Sequence, residues 1–543
     1  MNWQLPQGRP RLRHEPRSPE GDGTTGQWKG RSVKNTDQAV ETEIKLRLSP
    51  EARAALERHR AFNPPHASAP HTQLEVTTYF DTPDVALISE GVTLRVRRSG
   101  SVRKQTVKAT SRAALAPLQR NEWEWHVESD APDLGRLAET PIAPLVRTIN
   151  PGSLQPVFRT EIQRSARLLR PDGSSTVEAA FDEGRIIAGG VAAPVFELEL
   201  ELKSGDAHSL YRLALDLLAD VPLTLETASK GERGFWLHTG KAPKASKASD
   251  ISIDSSVSAA QSFKLIVSSA LRHLLVNVEP AKRADIEGVH QIRVAIRRLR
   301  AALALFEPHL PPRTASGFND ELRRLGAIFG RARDWDVFVF ETLLAAEKDL
   351  SGAARLHLLR DAAEVERAAA HAAVTAALRA PSFARLAIGM AAWIDNGADG
   401  PIRRDDDALT APVQDIVPAL LDRVWRKAAK RGRHIEQASH EQQHAFRKAI
   451  KKLRYSIEFL SALYGHKQVE TYLGPCEDLQ ELLGTINDAA VTIALSEQLQ
   501  TADGDLAHSI RAMTEWATLR AENVHHHVSK PWHELCSTDP FWH

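Results

Sequence analysis

At 543 residues the chain is long enough for two or three domains, each with its own core. Seventy Lys and Arg against 69 Asp and Glu leave a formal charge of +1, so electrostatic recognition must come from local segregation of charge. Two cysteines, Cys476 and Cys536, exclude a disulfide framework and fit a reducing cytoplasm, and no apolar run is long enough to span a bilayer.

Residues 1–36 are polar, basic and rich in Gly, Pro and Arg, without a secretory apolar run, and read as a disordered basic tail. Residues 37–238 are mostly short period-two runs, with helical interruptions near 51–59 and 206–219. A polar linker rich in Lys, Ser and Ala covers 239–257. Residues 258–530 read as helix almost throughout, and 531–543 as a C-terminal tail.

Side chains along a strand alternate faces. Glu41, Glu43 and Lys45 therefore share one face, with Ile44 and Leu46 opposite. Glu197, Glu199, Glu201 and Lys203 repeat the pattern against Leu198, Leu200 and Leu202. Arg95 and Arg97 are backed by Leu94 and Val96, Thr106 and Lys108 by Val107, and Arg120, Glu122 and Glu124 by Trp123 and Trp125. Glu178 and Asp182 keep the same parity, and Arg164 adds a further cation. An antiparallel sheet with one solvated face explains any single row. At least six such rows, with acids and bases sorted onto separate strands, fit a closed barrel with its charged face inward. Carboxylates on neighbouring strands would hold a hard divalent cation, and the nearby cations an anion that the metal also touches. Parity alone leaves open which face is inside.

This ordered set resembles the CYTH superfamily, the triphosphate tunnel metalloenzymes. The motifs that carry it are Glu41-x-Glu43-x-Lys45, Tyr79-Phe80-Asp81-Thr82, Leu94 to Arg97, Gln105 to Lys108 and Arg120-x-Glu122-x-Glu124. Later ones are Phe158 to Arg164, Glu178 to Asp182, Glu197-x-Glu199-x-Glu201 and Ser229-Lys230-x-x-Arg233-Gly234. The resemblance implies an eight-stranded antiparallel tunnel that binds linear triphosphate and a divalent metal. It carries metal ligation to Glu41, Glu43, Glu199 and Glu201, and phosphate binding to Lys45, Arg95, Arg97, Lys108, Arg164 and Lys230. Glu122, Glu124 and Asp182 would bind a second metal or orient water. Mg²⁺ or Mn²⁺ suits such carboxylates better than zinc.

The helical half is written twice. His290, Arg293, Arg297, Arg298, Leu299 and Arg300 return as His444, Arg447, Lys451, Lys452, Leu453 and Arg454, at an offset of 154. Gly330, Asp334 and Val337 return as Gly484, Asp488 and Val491 at the same offset. At about 100° per residue, His290, Arg293, Arg297 and Arg300 fall within an arc of about 80°, and His444, Arg447, Lys451 and Arg454 repeat it. No acid lies within either motif to neutralise the row along its own helix, which fits an external polyanion. Pairing across helices to Asp334 and Asp488 would be purely architectural.

These motifs resemble the CHAD domain, the conserved histidine α-helical domain. The resemblance implies two pseudo-symmetric four-helix bundles and binding of inorganic polyphosphate on the basic rows, with Arg298, Lys448 and Lys452 just off them. Asn487 stands where the first copy has Arg333, and Ala490 where it has Asp336. Other signals carry less. Adjacent helix positions diverge by about 100°, so His525, His526 and His527 cannot share one metal on a regular helix. No Gly-rich phosphate loop precedes a helix.

The expected fold class is α+β: the β tunnel, then an all-α domain. The expected function is metal-dependent hydrolysis of inorganic triphosphate to pyrophosphate and phosphate, with the helical domain concentrating polyphosphate or bringing the enzyme to polyphosphate granules. Alternatives at this point are a non-catalytic polyphosphate-binding protein and a tunnel enzyme of the adenylate cyclase or thiamine triphosphatase type. Nucleic acid is disfavoured as a partner because base-edge readers and stacking aromatics are missing beside the basic rows, and a membrane is not expected.

Overall fold

The computed structural model describes residues 39–109, 119–149, 151–350, 352–395, 410–499 and 504–543, so the tail read over residues 1–36 lies outside them. Eight long strands come first: β1 (Ala39–Arg47), β2 (His71–Asp81), β3 (Val92–Ser99), β4 (Val102–Ala109), β5 (Gln119–His126), β6 (Gln155–Leu169), β7 (Thr176–Ala188) and β8 (Val191–Ser204). A two-residue β9 (Thr224–Leu225) follows. Hydrogen bonding runs β5-β4-β3-β2-β6-β7-β8-β1-β9, and β5 also pairs with β1. All pairs are antiparallel, so the eight long strands form a closed ring.

Register decides what faces the lumen. Glu43 lies opposite Glu201, Lys45 opposite Glu199, Lys108 opposite Glu122 and Arg164 opposite Asp182. The alternate residues Ile44, Leu46, Val107, Val177, Leu198 and Leu200 are fully buried outside the ring. Helix α1 (Pro50–Arg58) starts at a Ser49 cap with Pro50 in its first turn and buries Ala52 and Leu56 against that outer face. Helix α2 (Ala207–Asp220) adds Leu210, Tyr211, Ala214 and Leu217, while Leu94, Val96 and Trp123 form a second outer cluster with Leu137 and Ile142. With every outer face covered by apolar groups, the charged faces turn inward.

Helix α3 (Lys230–Thr239) explains the last motif of the tunnel. Ser229 accepts from the Glu232 N–H at 3.1 Å, and Glu232 accepts from the Ser229 N–H at 2.8 Å, a complete capping box that sets Lys230 at the first turn. A Cβ on Gly234 would lie 2.0 Å from the Phe158 ring, which stacks on Tyr79 at 4.4 Å. Only glycine allows this helix so close to β6.

The helical region repeats at the offset seen in the sequence. Helices α4 (Ala259–Val276), α5 (Ile286–Leu305) and α6 (Pro312–Val337) begin 154 residues before α9 (Val413–Gly432), α10 (His440–Leu460) and α11 (His466–Gln498). Between them lie α7 (Leu356–Leu378) and α8 (Pro381–Asp395), and α12 (Gly504–His525) and α13 (Ser529–Ser537) close the chain. The Ala259 N–H donates to Ala411 at 3.0 Å and the Val413 N–H to Val257 at 2.9 Å. Each bond is the other's mate at that offset, the mark of an isologous, pseudo-twofold contact. The tunnel's outer core is continuous with the helical core, and Arg385 of α8 donates to the Leu218 carbonyl of α2 at 3.2 Å.

Residues 531–543, read as a C-terminal tail, pack on the helical core: Trp532 and Trp542 are buried, and Trp542 packs on Tyr472 at 4.9 Å while donating to Asp422 at 3.0 Å. The segment's aromatic side chains outweigh its polar spacing. The Gly234 contact is open to test. Gly234→Ala should cost about 1–3 kcal/mol through overpacking, read as a lower Tm; an unchanged Tm would show that the helix does not depend on this approach.

A charged tunnel and a basic helical row as candidate functional sites

Within the ring lies a cavity of about 750 Å³. Lys45, Arg95, Arg97, Lys108, Arg164 and Lys230 all line it, as do Glu41, Glu43, Glu122, Glu124, Asp182, Glu199 and Glu201. Its wall carries as many carboxylates as Lys and Arg side chains. The two signs pair across strands: Arg95 lies 3.6 Å from Glu122, Lys108 3.4 Å from Glu122 and in contact with Glu41, and Arg97 3.4 Å from Glu75. Lys45 contacts Glu43, and Lys104 reaches Glu124 at 2.9 Å.

The tightest knot is around Lys230. Its ammonium lies 2.7 Å from both Asp182 and Glu199 and also contacts Glu197, while Arg164 donates to Asp182 at 2.9 Å and to Glu199 at 3.1 Å. Burial opposes ionisation of Glu199, but Lys230 and Arg164 outweigh it and hold this carboxyl well below its ordinary range. Burial wins at Asp182, whose pKa rises despite the same two cations. Burial, with Glu41 and Glu43 adding repulsion against the pull of Lys203, raises Glu201. Glu122 is held down: burial opposes ionisation, and Lys108 and Arg95 outweigh it.

The four expected metal ligands thus divide. Glu41 and Glu43 both act on Glu201, whereas Glu199 joins Asp182 and Glu197, whose ligand oxygens lie within 4.8 Å of one another. Asp182 Oδ1 is buried without a hydrogen-bond partner, and an all-carboxylate oxygen set suits a hard divalent cation. The donors present therefore fit such a metal.

Sequence reasoning left out Glu197, Arg233, Glu226 and Glu75 as site residues. Glu197 shares the parity of Glu199 and Glu201, which was signal enough to include it. Arg233 donates to Glu197 at 2.6 Å and lies 3.6 Å from Glu226, a residue with no strand row to reveal it. Glu75 shares the face of Tyr79 on β2 and takes Arg97. Asp81 serves the backbone: it accepts from the N–H groups of Thr82, Leu87 and Ile88 at 2.8, 2.9 and 3.0 Å.

In the helical half the two basic rows meet. Arg293, Arg297 and Arg447 all act on Lys451; after burial they push its pKa down to about 6. Arg293 donates to Asp334 at 2.8 Å and to the Gly330 carbonyl at 3.2 Å, and Arg297 to the Tyr455 hydroxyl at 3.2 Å. Arg447 and Lys451 make no ion pair with the described residues. Burial, then Arg333, pushes His290 down to about 4, so it is neutral at pH 7. His444 Nδ1 lies 2.9 Å from Asn487 Oδ1, which accounts for the asparagine there. Two residues leave the common cluster: Arg300 donates to Asn319 at 3.0 Å, and Arg454 to Glu458 at 2.6 Å. Cys476 is buried, which pushes its thiol up to about 12, and His525 ends α12 beside Gln443 at 3.3 Å.

Residues 39–235 match the CYTH domain family and residues 265–497 the CHAD domain family. The chain joins a CYTH domain to a CHAD domain. It is 30% identical to an inorganic triphosphatase of Haemophilus influenzae over 204 residues, 36% of this chain and 54% of that protein, so the match spans about half of that relative's length. An uncharacterised protein of Mycobacterium tuberculosis is 27% identical over 436 residues, 76% of this chain and 81% of its own. The CHAD domain of the plant Ricinus communis is 25% identical, with a TM-score of 0.48 over 55% of this chain and 98% of that one. Among the described residues, no helix of the CYTH–CHAD chain is long and apolar enough to cross a membrane.

The acidic donors give a direct expectation. Mn²⁺ binding, followed by electron paramagnetic resonance, should weaken at least about tenfold in Glu199→Gln and in Glu201→Gln. Undiminished binding in both would place the metal elsewhere.

Proposed function

We propose that the tunnel hydrolyses inorganic triphosphate to pyrophosphate and phosphate with Mg²⁺ or Mn²⁺, and that the CHAD half binds inorganic polyphosphate. The observation that carries this reading is the lumen itself: a closed ring whose lining holds carboxylates and cations in equal number. A linear polyanion entering such a neutral wall must compete with the wall's own carboxylates for every cation. Divalent metal taken up by Glu199 with Asp182 and Glu197, or by Glu41, Glu43 and Glu201, would free those cations and supply positive charge against the leaving pyrophosphate. The relative named an inorganic triphosphatase supports the substrate class.

The chain's own residues then have separate tasks. Lys45, Arg95, Arg97, Lys108, Arg164 and Lys230 hold phosphate oxygens, Arg by forked contacts and Lys as point charges. Glu122 and Glu124 are both held down in pKa: burial opposes their ionisation, and Lys108 for Glu122 and Lys104 for Glu124 outweigh it. Ionised, they accept the proton of the attacking water as its oxygen bonds to the terminal phosphorus and the bond to pyrophosphate breaks. Covered outer faces keep this wall rigid, so the cations need no rearrangement beyond leaving their carboxylates.

In the CHAD half, Arg293, Arg297, Arg447 and Lys451, flanked by His290 and His444, hold the polyphosphate. Arg300 and Arg454, drawn toward Asn319 and Glu458, extend the row. This half concentrates substrate, or seats the enzyme on polyphosphate granules in the cytoplasm, without chemistry of its own.

Phosphate release from triphosphate, long-chain polyphosphate, ATP and thiamine triphosphate tests the reading. Triphosphate should be the preferred substrate, only with divalent metal, and Glu199→Gln should abolish turnover while leaving polyphosphate binding intact. Arg293→Glu combined with Arg447→Glu should do the reverse; loss of both activities in either variant would contradict independent sites. A pH series adds a signed expectation. Lys451 titrates low in the free protein and a bound polyanion favours its charged form, so binding takes up a proton. Affinity for polyphosphate should rise as pH falls from about 8 to about 6, and Lys451→Arg should flatten that rise.

A further inference from the structure

The repeat that relates the two basic rows also relates two grooves, and they are not filled alike. In the first half, the groove beside α4 and α5 holds the interdomain linker. Asn277 accepts from the Ser246 N–H at 2.9 Å and donates to the Ser246 carbonyl at 2.9 Å, and Ile253 is buried. Asp250 of the linker acts on Arg298, and Ser246 on His273. The offset of 154 carries His273, Asn277 and Arg298 to Lys427, Arg431 and Lys452. In the second half those three residues line an open cavity of about 800 Å³ between α9, α10 and the end of α5.

The chemistry of the two grooves differs in kind. Asn277 reads a peptide because its amide both accepts and donates; Arg431 in its place has no acceptor for a peptide N–H. Lys427, Lys430, Arg431 and Lys452 offer donors and positive charge only. The Lys430 and Lys452 ammonium groups make no hydrogen bond or ion pair with the described residues, and Glu307, which acts on Lys452, is taken by Arg423 at 2.9 Å and by Lys427 at 3.5 Å. Small residues, Ala301, Ala304, Ala445 and Ala449, keep the groove wide. An occupant with acceptors alone and repeated negative charge matches it, which is a linear phosphate chain and not a polypeptide. The groove is also joined to the basic row: Arg300 of the row, with Lys427 and Arg431 of the groove, acts on Lys452.

We propose that this groove is a second leg of the polyphosphate path: a chain leaving the central row at Lys451 passes Arg300 and Lys452 and lies along Lys427, Lys430 and Arg431. The inference rests on the reading that the CHAD half binds polyphosphate, and it makes the second half the one that selects for chain length.

The test uses the full chain and the triple variant Lys427→Ala, Lys430→Ala, Lys452→Ala, all three exposed and without structural partners beyond the 3.5 Å contact of Lys427 with Glu307. Long-chain polyphosphate should bind at least about tenfold more weakly, with a slope against log salt shallower by about 2, the share of three phosphate contacts. Binding of a short polyphosphate that fills only the central row, and turnover of triphosphate, should not change. Unchanged long-chain affinity and slope would overturn the groove while leaving the central reading in place. Loss of poly-glutamate binding with polyphosphate untouched would overturn it in favour of an acidic peptide. Failure of the wild-type chain to bind polyphosphate of any length would remove both readings, and Arg293→Glu with Arg447→Glu, expected to abolish both lengths, separates the row from the groove.

Discussion

Everything in the first domain depends on charges paired inside a closed sheet. Taking a charge out of water is costly unless a partner compensates it, and leaving one member of such a pair alone costs several kcal/mol, about 3–5. The ring meets this constraint by setting buried cations against nearby carboxylates, as Arg164 and Lys230 sit against Asp182 and Glu199. A bare polyanion entering such a wall would have to compete with the carboxylates for these cations. A divalent metal that took the carboxylates would change that balance, and the proposed metal dependence rests on this electrostatic argument.

The helical domain solves the opposite problem. Its rows meet across a pseudo-twofold contact, where Arg293, Arg297 and Arg447 crowd Lys451 with few acids to relieve them. Like charges held together by packing store repulsion that an external polyanion relieves. On the proposed reading the tunnel would bind through exchange of partners, and the helical surface through neutralisation. Their docking through α2 and α8 holds the two surfaces on one continuous core.

Much of this was legible in the sequence because both periodicities are strict. Alternation placed Glu41, Lys45, Arg95, Lys108, Glu122 and Glu199 on one face, and one constant offset revealed the duplicated helices. What parity could not give was cross-strand register, which depends on where each strand starts against its neighbour. Register is why Glu199 groups with Asp182 and Glu197 and away from Glu201. Nor could a helix face show that Arg454 turns to Glu458, or that the aromatic end of the chain seats Trp542 on Tyr472. Those outcomes belong to tertiary packing, which local pattern does not encode.

Calorimetric titration of inorganic triphosphate into the full chain, with Mg²⁺ and with chelator, tests the central claim most directly. The account predicts tight binding with the metal and almost none without it, because the wall's cations are then held by its own carboxylates. Equal affinity in both conditions would contradict it.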